Sequence, residues 1–146
     1  MDNTTREALV LALDKKICSL IEKGVTNFIT GGALGFDTLA AETVLKLRDT
    51  RFPNITLSLA LPCIEQTKGW NLHQKERYDE ILKKANNIHY ISKEYTPDCM
   101  MKRNMYMVDN SNYCIFYLLN TRSGTYKTVS YAMEQNLEII NILDKM

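Results

Sequence analysis

Apolar residues recur along the chain with two alternating periods, one typical of helices and one typical of buried strands. Near the amino end, Leu9, Leu13 and Ile17 recur at helical spacing, and Gly24 follows where a helix would end. The next run, VTNFIT, predicts a short buried strand. The same alternation of helix and strand continues to the carboxyl end of the chain.

The whole pattern predicts five helices, each followed by a strand. The helices are predicted from Thr4 or Thr5 to residue 23, and over 36–48, 74–85, 97–110 and 123–136; the strands are predicted over 25–30, 55–62, 87–92, 112–119 and 137–143. Strands that alternate with helices of this length indicate an α/β fold with a mostly parallel sheet of about five strands and helices on both faces. We expect one domain over residues 1–146.

Composition narrows the class of protein. A formal net charge of +1 gives no global field that would attract nucleic acid or a membrane. The cysteines, Cys18, Cys63, Cys99 and Cys114, form no C-x-x-C pair, and only 2 histidines are present. Reduced thiols therefore fit better than a disulfide framework or a metal site, and we expect no cofactor. The charged, helix-patterned amino end and the short apolar runs predict a cytoplasmic protein with no membrane association.

Three glycines stand where the first strand becomes a helix. Gly31, Gly32 and Gly35, with Ala33 between them, let the backbone turn sharply and approach a ligand closely. The following helix offers free N–H groups and the positive end of its dipole to a phosphate. The spacing is not G-x-G-x-x-G, however, and a tight turn with Asp37 as the helix cap explains it equally well.

Other candidate ligand contacts lie at the carboxyl ends of later strands, where parallel sheets bind ligands. The segment SGT, from Ser123 to Thr125, offers hydroxyl and N–H groups at a helix start. Lys102 and Arg103 oppose the helix dipole near the start of their helix, so binding of a ligand anion would explain their position. Charged side chains more often lie on a solvent-exposed face, however, and that alternative stays open. Trp70 is suited to stacking on a base or to covering the core.

Several segments together resemble the YpsA-like branch of the SLOG superfamily, which joins the DNA-processing protein DprA with the LOG phosphoribohydrolases. These are FITGGALGFDTLAAE, LALPC, EYTPDCMMKRNMYMVDNS and SGT…TVSYA, in order from about Val25 to Ile142. The resemblance implies a Rossmann-like fold that binds nucleotides or nucleotide-derived ligands, with no settled activity in this branch. Members usually begin with a strand that carries a TGHR-like turn, whereas this sequence starts at the following helix, so an exposed sheet edge is expected.

The resemblance to LOG enzymes is incomplete at the residues that matter for chemistry. Those enzymes carry M-x-x-R-K and P-G-G-x-G-T-x-x-E motifs. Here Arg103 is present, Asn104 replaces the lysine, and no acid follows Thr125 at the expected place. Asp37 and Glu42 are the remaining acids near the glycines, and their spacing puts them on different faces of a helix. A mechanism with paired carboxylates is therefore not supported.

The leading interpretation is a protein that binds a nucleotide or nucleotide-derived ligand, with a sensor as the expected role. The candidate ligand-binding residues are Gly31, Gly32, Ala33, Gly35, Asp37, Trp70, Lys102, Arg103, Ser123, Gly124 and Thr125. Two alternatives stay open: a LOG-like phosphoribohydrolase that cleaves the N-glycosidic bond of a nucleoside monophosphate, with Arg103 as its functional residue, and DprA-like binding of single-stranded DNA. The near-neutral charge argues against nucleic acid, and the exposed edge would suit a homo-oligomer.

Overall fold

Helices and strands alternate along the chain in a computed structural model that describes residues 1–118 and 124–146. The helices are α1 (Asn3–Glu22), α2 (Phe36–Thr50), α3 (Leu72–Lys84), α4 (Cys99–Asp109) and α5 (Gly124–Glu134); the strands are β1 (Asn27–Thr30), β2 (Thr56–Leu61), β3 (Asn87–Tyr90), β4 (Tyr113–Phe116) and β5 (Glu138–Asn141), followed by a 3-10 helix (Ile142–Lys145). Every predicted element is present, so the α/β, Rossmann-like class is confirmed.

The first helix shows how local signals set the boundaries. Asp2 caps α1, because its Oδ1 accepts a hydrogen bond from the backbone N–H of Thr5 at 2.7 Å. The cap therefore lies at Asp2, ahead of the predicted helix start at Thr4 or Thr5. At the other end, Gly24 has φ +102°, which places the chain in the left-handed region that favours glycine after a helix.

Among the described residues, all strand pairs are parallel, and they form two hydrogen-bonded sheets. β2 lies between β1 and β3, with Asn27 opposite Thr56 and Ser58 opposite Asn87. β4 pairs with β5 separately, with Tyr113 as its first paired residue. The parallel pairing agrees with the sequence prediction, but the strands do not form one sheet of about five, because β1 and β4 are not hydrogen-bonded to each other in the described part of the chain.

The core lies between the central strand β2 and the helices α1 and α2. Leu57, Leu59 and Leu61 of β2 are almost completely buried, as are Leu9 and Leu13 of α1. Leu57, Leu59 and Leu61 alternate with Thr56, Ser58 and Ala60, so one face of β2 packs against the apolar faces of the helices. The core fixes the carboxyl ends of β1 and β2, which carry the candidate site. Within the described ranges, no helix has both the length and the apolar character needed to cross a membrane.

Candidate functional site

The glycine turn, residues 31–35, connects β1 to α2. Gly32 has φ +69° and Gly35 has φ +82°, so both adopt backbone conformations that side chains disfavour. A β-carbon on Gly32 would also lie 2.5 Å from Cδ2 of Leu61 at the end of β2. Two of the glycines are thus required by the turn itself, whatever the turn binds.

The first turn of α2 holds the glycine turn from one side. Oδ2 of Asp37 accepts a hydrogen bond from the backbone N–H of Ala33 at 3.2 Å, and Oγ1 of Thr38 donates to the carbonyl of Ala33 at 3.0 Å. Gly35 occupies the N-cap position of α2, with no side-chain cap. Asp37 therefore folds back on the turn instead of capping the helix from outside.

Arg103 reaches the glycine turn from α4. Its side chain is buried, with the residue only 6% exposed, and its Nη1 donates to the carbonyl of Gly31 at 2.5 Å. Its Nε donates to Oδ1 of Asn104 at 2.8 Å. The structure thus joins two motifs that are 72 residues apart in sequence, which the sequence analysis had placed at neighbouring strand ends.

Gly31 lies between a buried cation and a carboxyl group. A β-carbon there would be 2.6 Å from Nη1 of Arg103 and 2.9 Å from Oδ2 of Asp37. No ion pair within 4.0 Å joins Asp37 to Arg103 among the described residues. The absence of a side chain at Gly31 is therefore what allows both charged groups to approach the backbone.

Burial shifts both of these groups towards their neutral forms. It raises the pKa of Asp37, and the nearby charge of Arg103 with the N–H groups of Ala33 and Gly31 offsets this only in part. Burial likewise lowers the pKa of Arg103, against the opposing effect of Asp37. A guanidinium carries five N–H donors, and the described hydrogen bonds engage two of its nitrogens. The arrangement can therefore present a poorly hydrated cation to an incoming anion.

The loop after β2 supports the turn from the opposite side. Nε2 of Gln66 donates to the carbonyl of Gly32 at 2.8 Å. Trp70 packs edge-on against Tyr78 with the ring centroids 5.3 Å apart, and Tyr78 itself borders Gly32. Burial raises the pKa of Tyr78 well above its usual value, which keeps the phenol neutral. The ring of Tyr78 therefore separates Trp70 from the turn, and Trp70 also packs against the hydrophobic core.

The remaining sequence candidates are placed differently. Lys102 is exposed and pairs with Asp98 one helical turn earlier, at 3.2 Å, so it points away from the neighbouring Arg103. Gly124 and Thr125 begin α5, and Thr125 is exposed. Ser123 lies outside the described residues. The structure therefore brings Arg103 and Asp37 to the glycine turn, but not Lys102.

Cys63, at the end of β2, is buried, and this burial raises the pKa of its thiol. Neither histidine of the sequence, His73 or His89, is a near neighbour of Cys63 in the chain that could activate it as a nucleophile. A thiol with a raised pKa is a poor nucleophile, so the structure favours a packing role for Cys63.

Two supporting contacts have no signal in the sequence. Gln66 is an ordinary polar loop residue, and nothing in its neighbours predicts that it reaches Gly32. Glu42 forms a two-bond ion pair with Arg77 of α3, at 3.1 Å and 2.5 Å, across 35 residues of chain. The acid that was considered for chemistry is thus held by a guanidinium at the α2–α3 contact.

The chain matches a known protein family over residues 2–142. A family model named YpsA, described as the YspA SLOG family, matches residues 2–142. The chain belongs to this family. The match includes the glycine turn, Arg103 and the start of α5, so the YspA SLOG family relationship extends over every segment that contributes to the candidate site.

Curated relatives agree with this assignment. The Uncharacterized SPbeta prophage-derived protein YoqJ of Bacillus subtilis (strain 168) is 34% identical, over 88% of this chain and 84% of the relative. UPF0398 proteins of Bacillus thuringiensis (strain Al Hakam) and Bacillus cereus (strain AH187) are each 27% identical, over 96% of this chain and 77% of the relative. These names describe no ligand or reaction, so the function must be argued from the site.

Across residues 1–118 and 124–146, no cluster of three or more His, Cys, Asp or Glu residues is placed to hold a metal ion. The candidate site at the glycine turn contains a guanidinium, a carboxyl group and backbone groups at the start of a helix. Groups of these kinds can form hydrogen bonds with a polar, anionic ligand.

Proposed function

We propose that this YspA SLOG family member binds a nucleotide or nucleotide-derived ligand at the glycine turn. The observation that carries the proposal is the position of Arg103, whose buried guanidinium donates to the carbonyl of Gly31 at the carboxyl end of β1. Ligands of open α/β sheets bind at this end of the strands. A site there that contains a cation and a helix start suits a phosphate-bearing molecule.

The electrostatics of Arg103 give this proposal its physical basis. A cation removed from water is costly unless an anion compensates it, and Asp37 lies close but forms no direct ion pair with it. A ligand phosphate or carboxylate would compensate the guanidinium by charge-assisted hydrogen bonds. Anion binding would therefore relieve an unfavourable feature of the unliganded site.

Asp37 suggests how the rest of the ligand would lie. A carboxylate repels a phosphate, but it accepts hydrogen bonds from ribose hydroxyl groups, as acids do in dinucleotide sites. We therefore place the ribose towards Asp37 and the anionic group towards Arg103. Trp70, one ring away beside Tyr78, would border the base.

The acids near the turn favour binding over hydrolysis. Oδ2 of Asp37 holds the N–H of Ala33, and Glu42 is bonded to Arg77. A hydrolase would need a carboxyl group that exchanges a proton with the leaving base or the attacking water, whereas ribose binding needs only a hydrogen-bond acceptor. The hydrolytic alternative is checked in the binding samples themselves, by chromatography for free base released from AMP.

Calorimetry with AMP, ADP-ribose, NAD and cyclic AMP tests the proposal on the folded protein. The variant Arg103→Gln should weaken the binding of any ligand found by about tenfold or more, because it removes the cation. Lys102→Gln is the matched control, since it removes the neighbouring exposed cation and should leave affinity unchanged. If the folded wild type binds no member of the panel, or if both variants weaken binding equally, the proposal is wrong.

A further inference from the structure

The guanidinium of Arg103 is held by hydrogen bonds to two acceptors, and neither acceptor carries a charge. Nη1 donates to the carbonyl of Gly31 at 2.5 Å, and Nε donates to the amide oxygen Oδ1 of Asn104 at 2.8 Å. Asp37 lies nearby, but no ion pair within 4.0 Å joins it to Arg103 in the described residues. These bonds therefore hold the side chain without placing a carboxylate directly against it.

The two bonds also determine the direction of the third nitrogen, Nη2. A guanidinium is planar and rigid, so two donors bonded to acceptors in different parts of the fold fix the orientation of the whole group. Nη2 donates to no acceptor within the described ranges. Among the fully buried side-chain N and O atoms there, only Oγ1 of Thr30 lacks a partner, so Nη2 is not fully buried. Nη2 therefore reaches accessible space, although Arg103 as a whole is only 6% exposed.

The bond between Arg103 and Asn104 is not one that helix geometry provides by itself. The two are consecutive residues of α4, and consecutive side chains of a helix point about 100° apart and do not face each other. The bond at Nε therefore restrains Arg103 in a direction that the helix does not impose. The contact of Nη1 with Gly31 alone would leave the guanidinium free to turn about that single bond.

The amide of Asn104 suits a site that keeps a cation available. A carboxylate at position 104 would accept the same hydrogen bond, but it would also compensate the positive charge and compete with an incoming anion. An amide oxygen accepts the bond and adds no charge. Asn104 can thus fix the direction of the guanidinium without reducing its attraction for a phosphate.

We propose that Asn104 is a positioning residue of the candidate site. By accepting a hydrogen bond from Nε, it turns Nη2 of Arg103 towards the anionic group of the ligand and leaves the positive charge for that group. Asn104 itself contacts no ligand. The inference rests on the proposed function, because it takes the occupant of the glycine turn to be a phosphate-bearing ligand.

The contacts of Asn104 make this role accessible to mutation. In the part of the chain that the structure describes, its side chain forms no hydrogen bond except the one with Arg103, and the residue is half-buried. A substitution there should therefore act on Arg103 and on little else. Two variants of nearly the same size separate orientation from charge: Asn104→Leu removes the acceptor, and Asn104→Asp keeps an acceptor but adds a carboxylate.

Nuclear magnetic resonance of the arginine Nε–H groups tests the orientation without any ligand. The Arg103 signal is the one that disappears in Arg103→Gln. We expect its hydrogen to exchange with water about tenfold or more faster in Asn104→Leu than in the wild type, because the acceptor is lost. Exchange should stay slow in Asn104→Asp and in the control Lys102→Gln, whose ammonium pairs with Asp98. Unchanged exchange in Asn104→Leu would overturn the inference, whatever the protein binds.

Binding is then measured with two probes, AMP by calorimetry and inorganic phosphate by the shift of the Arg103 Nε–H signal. We expect Asn104→Leu to weaken both affinities by about threefold or more, through lost orientation. Asn104→Asp should weaken them by about tenfold or more, because its carboxylate competes with the phosphate. Lys102→Gln should match the wild type.

The pattern of results distinguishes this inference from the proposed function. Wild-type affinity in both Asn104 variants would overturn the positioning role and leave the proposed function standing. Weakening by Asn104→Asp alone would show that added charge matters and orientation does not, which also overturns the positioning role. Failure of the folded wild type to bind either probe would contradict the proposed function, and this inference would fall with it.

Discussion

At the scale of single residues, the candidate site depends on what Gly31 lacks. Any side chain there would meet Arg103 and Asp37 at less than van der Waals distance. The positive φ angles of Gly32 and Gly35 have a different cause, the path of the turn itself. The sequence alone gives no reason to assign different roles to the three glycines. The long-range contact with α4 is what distinguishes Gly31 from Gly32 and Gly35.

Asp37 gives a prediction about pH. Its folded pKa is raised above the ordinary value of 3.8, so the folded state binds the proton more tightly than the unfolded state. Ionisation of Asp37 therefore costs stability, and the cost appears as pH rises from about 4 through the raised pKa. Asp37→Asn keeps an acceptor for the N–H of Ala33 without the charge. The free energy of unfolding of this variant should therefore increase relative to that of the wild type as pH rises over this range.

The measurement is the free energy of unfolding in urea at several pH values for both proteins. Subtracting the two profiles removes the contributions of Asp2, Asp14 and Asp98, whose pKa values are lowered by their own partners. A difference that does not change with pH would show that Asp37 has the same pKa in both states.

At the scale of elements, helix geometry explains which sequence predictions were incomplete. The five helices and five strands of the described residues were predicted from local periodicity and turn residues, because both can be recognised in the sequence. Lys102 and Arg103 are neighbours in sequence, but consecutive helical residues point about 100° apart, so one faces Asp98 and the other faces Gly31. The support from Gln66 was not predictable, because a polar loop residue shows no preference for a distant carbonyl.

The contact of α2 with α3 yields a second prediction. Glu42 and Arg77 form two hydrogen bonds, whereas the pair Asp14–Lys46 between α1 and α2 has a single contact at 2.8 Å. Two-bond guanidinium pairs have fixed geometry, so they should couple more strongly than exposed ammonium pairs. Double-mutant cycles with Glu42→Gln and Arg77→Met should give about 0.5–1 kcal/mol at low salt.

The matched cycle with Asp14→Asn and Lys46→Met is expected to give only a few tenths of a kcal/mol. Both values should fall as salt is added, since the side chains are partly exposed. Equal coupling in the two cycles would mean that the second hydrogen bond of Arg77 contributes nothing measurable.

At the scale of the whole molecule, the division of strands between two sheets is the feature that the sequence did not predict. Periodicity identifies strands and their buried faces, but pairing depends on contacts between distant segments. The resemblance to the SLOG superfamily led us to expect an exposed edge. In the described residues, β1 and β4 each have an edge that pairs with no strand, and residues of both strands line one cavity.

This division predicts unequal local stability. Four of the six residues of β2 are buried between β1 and β3, while three of the four residues of β4 are only half-buried. Since no strand hydrogen bonds link the sheets in the described residues, β4 and β5 should open without unfolding β1–β3. Native-state hydrogen exchange should give opening free energies for Cys114 and Phe116 at least about 1 kcal/mol below that of Leu57.

The amide of Leu13, in the buried face of α1, reports global unfolding in the same experiment. Equal opening free energies at Leu13, Leu57 and Cys114 would show that the two sheets unfold as one cooperative unit.

The carbonyls of two successive glycines are each fixed by a side chain from another part of the fold, Gly31 by Arg103 and Gly32 by Gln66. In a trans peptide the N–H points opposite to the preceding C=O, so the directions of the next two N–H groups are fixed as well. Conformational entropy that a flexible loop would lose on meeting its ligand is lost here during folding. A ligand would therefore meet a turn already in its binding shape.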